Sequence, residues 1–206
     1  MSTLLGLPRN GYRVAPGPEG YLSPSAAVMG VVLPEEGQAL IEGEIVSQEA
    51  AVEAIAERLL AAKNPMLFPG PLVLWAWSDK AAAKAVALQE LVAEVPGMRI
   101  IPMPDYRPKY PMINPAVEIN PNHPNLTIWH NKIDVCVFVG VHCHFANLAL
   151  KIVRAGTDCY TIALCGERGH EDAMITLRDV HAKEVTELTA TIRKVKMGRL
   201  SCRKGR

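Results

Sequence analysis

The chain has 206 residues, 49% of them hydrophobic, and a formal net charge of +1. This length suffices for one α/β domain with a full core and additional segments. The low charge argues against nucleic acid as a partner, and no apolar run approaches the roughly 20 residues that cross a bilayer. The absence of a basic-then-apolar signal pattern at the N-terminus predicts a cytoplasmic protein. Five cysteines without a CxxC pair favour reduced thiols and argue against an iron–sulfur cluster held by this chain alone.

The first 46 residues are rich in glycine and proline, with short apolar patches between the turns. Such a segment cannot bury a core of its own, yet it is too apolar for a simple linker. We therefore expect residues 1–46 to lie extended across their own domain or across a partner subunit.

An α/β domain is predicted over residues 47–195. Its first half shows capping residues at helix starts and proline or glycine at helix ends. The predicted elements are, in chain order, a helix over residues 47–62, a strand over 66–74 with a turn at Gly70-Pro71, a helix over 79–95 and a strand over 98–103.

A proline-rich loop over residues 104–124 follows, with six prolines. Loops this long inside a compact domain are usually functional or form an interface. A short strand is expected after it, over residues 126–130. Trp75 and Trp77 would share one face of the first strand, where both core packing and a partner-facing patch are open interpretations.

The strongest pattern in the chain is a strand–turn–helix–strand unit over residues 134–165. Val135–Val139 is an unbroken apolar run, Gly140 makes the turn, and a second apolar run begins at Cys159. Continuous apolar strands indicate a parallel sheet covered on both faces, so we predict an α/β fold with a doubly wound sheet of about five strands. A last helix over residues 182–194 and a basic tail over 196–206 complete the prediction; the tail is expected to be solvated, or to dock on an acidic partner or RNA.

Ligands of such sheets bind at the carboxyl ends of the strands. Backbone amides at the two glycine turns could hold a pyrophosphate there, as amides do at helix N-termini. The candidate cofactor-binding residues are Gly70, Pro71, Gly140, His142, Asn147, Arg168 and His170.

The turn His142-Cys143-His144 suggests two other chemistries. Cys143 lies near a helix N-terminus, whose dipole favours a thiolate nucleophile. His142 and His144 are candidate metal ligands, with His170 or Cys165 as further ligands, but a polar turn without a metal explains them as well. Three other cysteines are expected to be small buried core residues: Cys136, Cys159 and Cys165.

The segments Asn64-Pro-Met-Leu-Phe-Pro-Gly-Pro-Leu72 and NKIDVCVFVGVHCHFANLALKIVRAG (131–156), followed by CYTIALC (159–165), resemble the carbon monoxide dehydrogenase/acetyl-CoA synthase epsilon subunit family, also called the carbon monoxide dehydrogenase beta-subunit family. The resemblance implies a Rossmann-like fold similar to the central domain of thiamine-diphosphate enzymes. It also implies an accessory subunit without nickel or iron–sulfur ligands, for which FAD or another dinucleotide is a candidate ligand. The N-terminal extension, the basic tail and the His-Cys-His turn depart from the family pattern.

Three hypotheses follow. In the first, the chain is a non-catalytic accessory subunit of a large anaerobic redox complex of C1, acetyl-CoA or 2-oxoacid metabolism, docked on larger subunits or on a second copy of itself, and assisting assembly or electron transfer. In the second, it is an independent enzyme that uses Cys143 with His142 and His144 as nucleophile and base or as a metal site. In the third, it is a scaffold whose nucleotide groove is filled by side chains such as Phe145 or Trp75.

Overall fold

The computed structural model describes residues 33–104 and 114–204, with side chains up to residue 199. Within these residues, seven strands form one sheet: β1 (Gln38–Ile41), β2 (Glu44–Ser47), β3 (Pro65–Pro69), β4 (Arg99–Ile100), β5 (Val135–Val139), β6 (Tyr160–Leu164) and β7 (Ile175–Leu177). The same part of the chain has six helices: α1 (Gln48–Ala61), α2 (Pro71–Leu74), α3 (Asp79–Glu94), α4 (Pro124–Asn131), α5 (Cys143–Gly156) and α6 (Ala182–Lys204).

The strand order across the sheet is β2-β1-β7-β6-β5-β3-β4. The five strands from β7 to β4 are parallel, whereas β1 pairs antiparallel with both β2 and β7. The chain runs from β3 outward to β4 and then returns to β5 on the other side of β3. This reversal is the switch point of a doubly wound sheet. The predicted α/β, Rossmann-like fold is confirmed.

Both faces of the parallel sheet are buried, as the continuous apolar strands predict. Alternate residues of β5 enter two separate cores: Val137 faces one and Phe138 the other. The first core is completed by buried residues of α1, α3 and α6, and the second by those of α4 and α5. Cys136 and Cys159 lie buried in the second core, as predicted.

The hairpin of β1 and β2 extends the sheet beyond its parallel part. Ala39 pairs with Leu177 of β7, so residues 38–47, most of which belong to the predicted N-terminal segment, lie on their own domain. The rest of that segment, residues 1–32, lies outside the described residues. The strand β7 itself was not predicted, because it has only three residues and follows a polar loop.

One predicted strand, and the end of another, are helical. Residues 71–74 form α2 rather than the end of the first strand, and residues 126–130 belong to α4. Both helices have proline in their first turn, a position that proline favours because the missing N–H has no helical partner there. The strand predicted over residues 98–103 is shorter, although the amides of Ile101 and Met103 still donate to β3 carbonyls.

The last helix, α6, continues to Lys204 instead of ending near residue 194. Around the start of the basic tail, two side chains of α6 form ion pairs with Glu94 of α3. Arg193 Nε lies 2.8 Å from Glu94 Oε1, and Lys196 Nζ lies 3.1 Å from Glu94 Oε2. These two cations therefore form ion pairs within their own domain. Of the helices in the described part of the chain, none has the length and apolar character needed to span a membrane.

Candidate functional site

A cavity of about 410 Å³ opens where β3, β5 and β6 end. This is the sheet edge at which the sequence predicts ligand binding. Its apolar lining includes the buried Phe138, Val139 and Leu164. Polar groups from the loops and helix starts complete the lining: Ser78, Lys80, Lys84, His142, Cys143, Cys165, Glu167, His170 and His181.

The two predicted glycine turns lie against each other beside this cavity. The amide of Gly70 donates to Val139 O at 2.8 Å, and the amide of Leu72 donates to Gly140 O at 2.9 Å. Pro71 has no N–H, so this turn has no unused amide at residues 70–72 for a phosphate. This corrects the predicted role of Gly70 and Pro71, which brace the site but do not line it, whereas Gly140 does.

Two helices begin at the cavity. Ser78 caps α3 through its hydroxyl, which accepts from the amide of Ala81 at 3.2 Å. His142 precedes α5 without a side-chain cap hydrogen bond, so the first amides of α5 are not occupied by a capping side chain. Helix N-termini carry partial positive charge and attract anions. The arrangement favours a ligand with a negative group near α5.

Lys84 adds a cation that the sequence analysis missed. It is only 9% exposed, and its Nζ donates to Val180 O at 2.5 Å. Burial lowers the pKa of this ammonium group, against the opposing effect of the nearby Cys165 and Glu184. Its burial could have been predicted from its spacing, because Lys84 lies between the buried Ala81 and Leu88 on the core face of α3.

Cys143, Cys165 and His170 meet at one side of the cavity. Their candidate ligand atoms all lie within 4.8 Å of one another. Cys165 and His170 are buried, whereas Cys143 is exposed in the first turn of α5. Asn147, predicted as a ligand-binding residue, instead supports this group, because its Oδ1 lies 2.9 Å from Nδ1 of His170.

The two thiols have different acidities. Burial alone would raise the pKa of Cys165, but hydrogen bonding and charge from His170, with the amides of Glu167 and Gly169, bring its pKa below the ordinary value. Burial, followed by the effects of Cys165 and Glu167, raises the pKa of Cys143. The better thiolate is therefore Cys165 rather than Cys143, the thiol that the helix-dipole argument favours.

Other predicted site residues lie elsewhere. Arg168 is exposed and does not line the cavity. His144 is also exposed; its ring packs at 4.1 Å from that of Phe145 and stands 6.0 Å from the ring of His142, centroid to centroid. Neither histidine of the turn belongs to the Cys–Cys–His group.

Trp75 and Trp77 lie on the surface and not in a strand. Trp75 is 58% exposed and Trp77 is 66% exposed, so the core-packing interpretation is wrong. Trp77 lines the cavity, and its Nε1 donates to Leu72 O at 3.0 Å. Neither Trp75 nor Phe145 lines the cavity. The two side chains that the scaffold hypothesis expected to fill the nucleotide groove therefore do not fill this cavity.

Residues 30–195 match the family described as CO dehydrogenase beta subunit/acetyl-CoA synthase epsilon subunit. The chain belongs to this family. The match confirms the resemblance and covers both glycine turns, the cavity and the Cys–Cys–His group. A search of curated proteins found no match to the chain.

Proposed function

We propose that this chain is an accessory subunit of a CO dehydrogenase/acetyl-CoA synthase complex, and that its cavity binds FAD or another nucleotide. The family match supports the first part. One observation carries the second: in a member of this family, a cavity at the carboxyl ends of parallel strands is lined by the starts of two helices. Nucleotides bind at such edges in doubly wound sheets.

The cavity offers separate surfaces to the two parts of a nucleotide. Phe138, Val139 and Leu164 present apolar surface to a ring system. The N-terminal turn of α5 lines the same cavity, and so do Lys80 and Lys84, whose ammonium groups would attract phosphate oxygens. A flavin bound there would supply one- and two-electron transfer.

The size of the cavity limits how a dinucleotide would lie. Ligand sites commonly measure about 300–1,000 Å³, so 410 Å³ is in the lower part of that range. We expect one ring system to enter and the remainder to extend along the mouth, past Trp77 and His181. The indole face of Trp77 is exposed there and would stack on a second ring.

A flavin titration with a matched pair of variants tests the ligand. Ala81 lines the cavity and is 6% exposed, whereas Ala83 lies exposed on the same helix. Ala81→Phe should fill the cavity and weaken FAD binding at least tenfold, whereas Ala83→Phe should leave the affinity for FAD unchanged. Both affinities are measured by flavin fluorescence. Equal affinity in the two folded variants would refute binding in this cavity. A nucleotide without flavin, tested in competition with FAD, would distinguish the ligand class.

Docking on larger subunits is the other half of the proposal. The exposed indole of Trp75 supports it, because tryptophan is enriched at protein interfaces. Residues 114–124, the described end of the proline-rich loop, add the exposed Val117. A homodimer would use the same kind of surface, and the mass of the assembly distinguishes it from a complex with larger subunits.

A further inference from the structure

We infer that Cys143, Cys165 and His170 form a three-ligand site for one soft divalent cation of the Zn²⁺ class, with a fourth position open to the cavity. The inference does not depend on nucleotide binding. Its first basis is the convergence of three side chains from three places in the fold: the first turn of α5, the end of β6 and the loop before β7.

The donor set and its spacing suit such an ion. Two thiolates and one imidazole are zinc ligands, and three protein ligands with one open position are typical of reactive rather than structural zinc. Tetrahedral ligation at about 2.0–2.3 Å places the ligand atoms roughly 3.5–4 Å apart. The ligand atoms of this chain already lie within 4.8 Å of one another, so contraction by about 1 Å completes the geometry.

A second, independent observation is the orientation of His170. Nδ1 of its ring lies 2.9 Å from Oδ1 of Asn147. When Nδ1–H donates to that oxygen, Nε2 is the nitrogen whose lone pair is left for a metal. Metal-bound histidines typically have this second hydrogen bond, which fixes both the tautomer and the ring plane.

The backbone holds the group in place before any ion binds. The amide of His170 donates to Thr176 Oγ1 at 2.9 Å, and the amide of Glu167 donates to Cys165 Sγ at 3.4 Å. Asn147 follows Cys143 by four residues on α5, so one helix face supplies both a ligand and the partner of another ligand. Because all three ligands also line the cavity, the fourth coordination position faces a bound ligand or water.

The test is a Zn²⁺ titration of the full chain, purified without oxygen, reduced and freed of metal, in competition with a chromophoric chelator. We expect one ion per chain, and at least a 100-fold weaker affinity in Cys143→Ala and His170→Ala. Asn147→Ala should weaken binding by about 10–100-fold, and Asn147→Asp, which keeps the acceptor, should restore it. His144→Ala is the control and should bind as the wild type does.

Co²⁺ gives a readout that a purely structural role would not change. Thiolate-to-cobalt charge-transfer absorption should appear in the wild type and fall by about half in Cys143→Ala, which changes an exposed residue and should keep the far-ultraviolet circular dichroism spectrum intact. Equal Zn²⁺ affinity in the wild type and in Cys143→Ala would overturn the proposal. So would loss of binding in His144→Ala alone, or a reduced wild-type protein that binds no Zn²⁺.

Discussion

Gly70 is packed so closely against Gly140 that a β-carbon on Gly70 would lie 2.5 Å from the Gly140 carbonyl oxygen. That oxygen in turn accepts the amide of Leu72. The turns after β3 and β5 are therefore locked together at the switch point of the sheet. Their rigidity sets the position of α2 and of the first residues of α5, and with them one wall of the cavity.

Gly70→Ala should consequently destabilise the protein. The backbone of Gly70 is extended, with φ −98°, so the penalty comes from lack of space and not from an unfavourable dihedral angle. We expect a loss of roughly 2–3 kcal/mol in the free energy of unfolding, measured by urea denaturation. The matched control is Gly198→Ala, where no atom outside the surrounding helix turns lies within 4 Å of the added carbon; inside α6 this change should gain about 0.5–1 kcal/mol. Equal stability of the two variants would contradict the close packing.

The ion pairs between α3 and α6 predict a pH dependence. Hydrogen bonds from Arg193 and then Lys196 lower the pKa of Glu94 from its ordinary value of 4.5. A carboxyl with a depressed folded-state pKa stabilises the fold above its unfolded pKa, and this contribution is lost as the pH falls through the folded pKa. Glu94→Gln should thus lower Tm at pH 7 and have little effect at strongly acidic pH.

The control for that experiment is Glu90→Gln, which removes the same charge from an exposed position of α3. Its Tm should match that of the wild type at both pH values. A Glu94→Gln deficit that stays constant from neutral to strongly acidic pH would show that the ion pairs with Arg193 and Lys196 do not act as described.

Asp172 provides a test of buried charge. It is 4% exposed, and its carboxylate pairs with Lys151 at 3.2 Å and Arg154 at 2.9 Å, both on α5. Removing both cations would leave a buried carboxylate uncompensated, at a cost of about 2–3 kcal/mol. Asp172→Asn leaves only half-exposed cations, which water solvates, and should cost about 1 kcal/mol. Chemical denaturation of Asp172→Asn and of the Lys151→Ala/Arg154→Ala double variant measures the two losses in free energy of unfolding. A larger loss in Asp172→Asn than in the double variant would contradict the description of Asp172 as a buried carboxylate compensated by these two cations.

Trp75 should matter for assembly and not for folding. Trp75→Ser removes a side chain that is 58% exposed, so Tm should change little, but association with larger subunits should weaken. Val86→Ser is the control, because Val86 is 56% exposed on α3, outside the proposed docking segment of residues 114–124. Co-elution in gel filtration distinguishes them; equal co-elution of both variants would place the interface elsewhere.

The long apolar strands and the capped helices could be predicted from the sequence because their signals are local. Ser47 and Ser78 cap α1 and α3 as expected, and β5 is the apolar run that indicated a parallel sheet. The errors fall where one local signal has two interpretations. An apolar run after proline, as at Pro71 and Pro124, fits a helical first turn as well as a strand.

The candidate site was only partly predictable, because it depends on distances between elements far apart in the sequence. The spacing of Cys143, Cys165 and His170 follows no metal-binding motif, and the pairing of β6 with β5 and with β7 brings them together. Likewise, the amides of Gly70 and Leu72 are occupied because the turn after β5 packs against the turn that contains them, a contact that the local sequence does not indicate. Residue type indicated the sheet edge at which the cavity lies, whereas the position of each residue there depends on tertiary contacts.

If this chain is a subunit of a CO dehydrogenase/acetyl-CoA synthase complex, it should remain with the CO-oxidising activity when the native complex is fractionated. Extract of the source cells, grown so that CO oxidation is active and handled without oxygen, is separated by gel filtration, with antibody detection of this chain and an assay of CO oxidation across the fractions. We expect the chain to elute with the activity, at a mass far above its own 22.4 kDa. Elution of the whole chain at its own mass or twice that mass, apart from the activity, would contradict it.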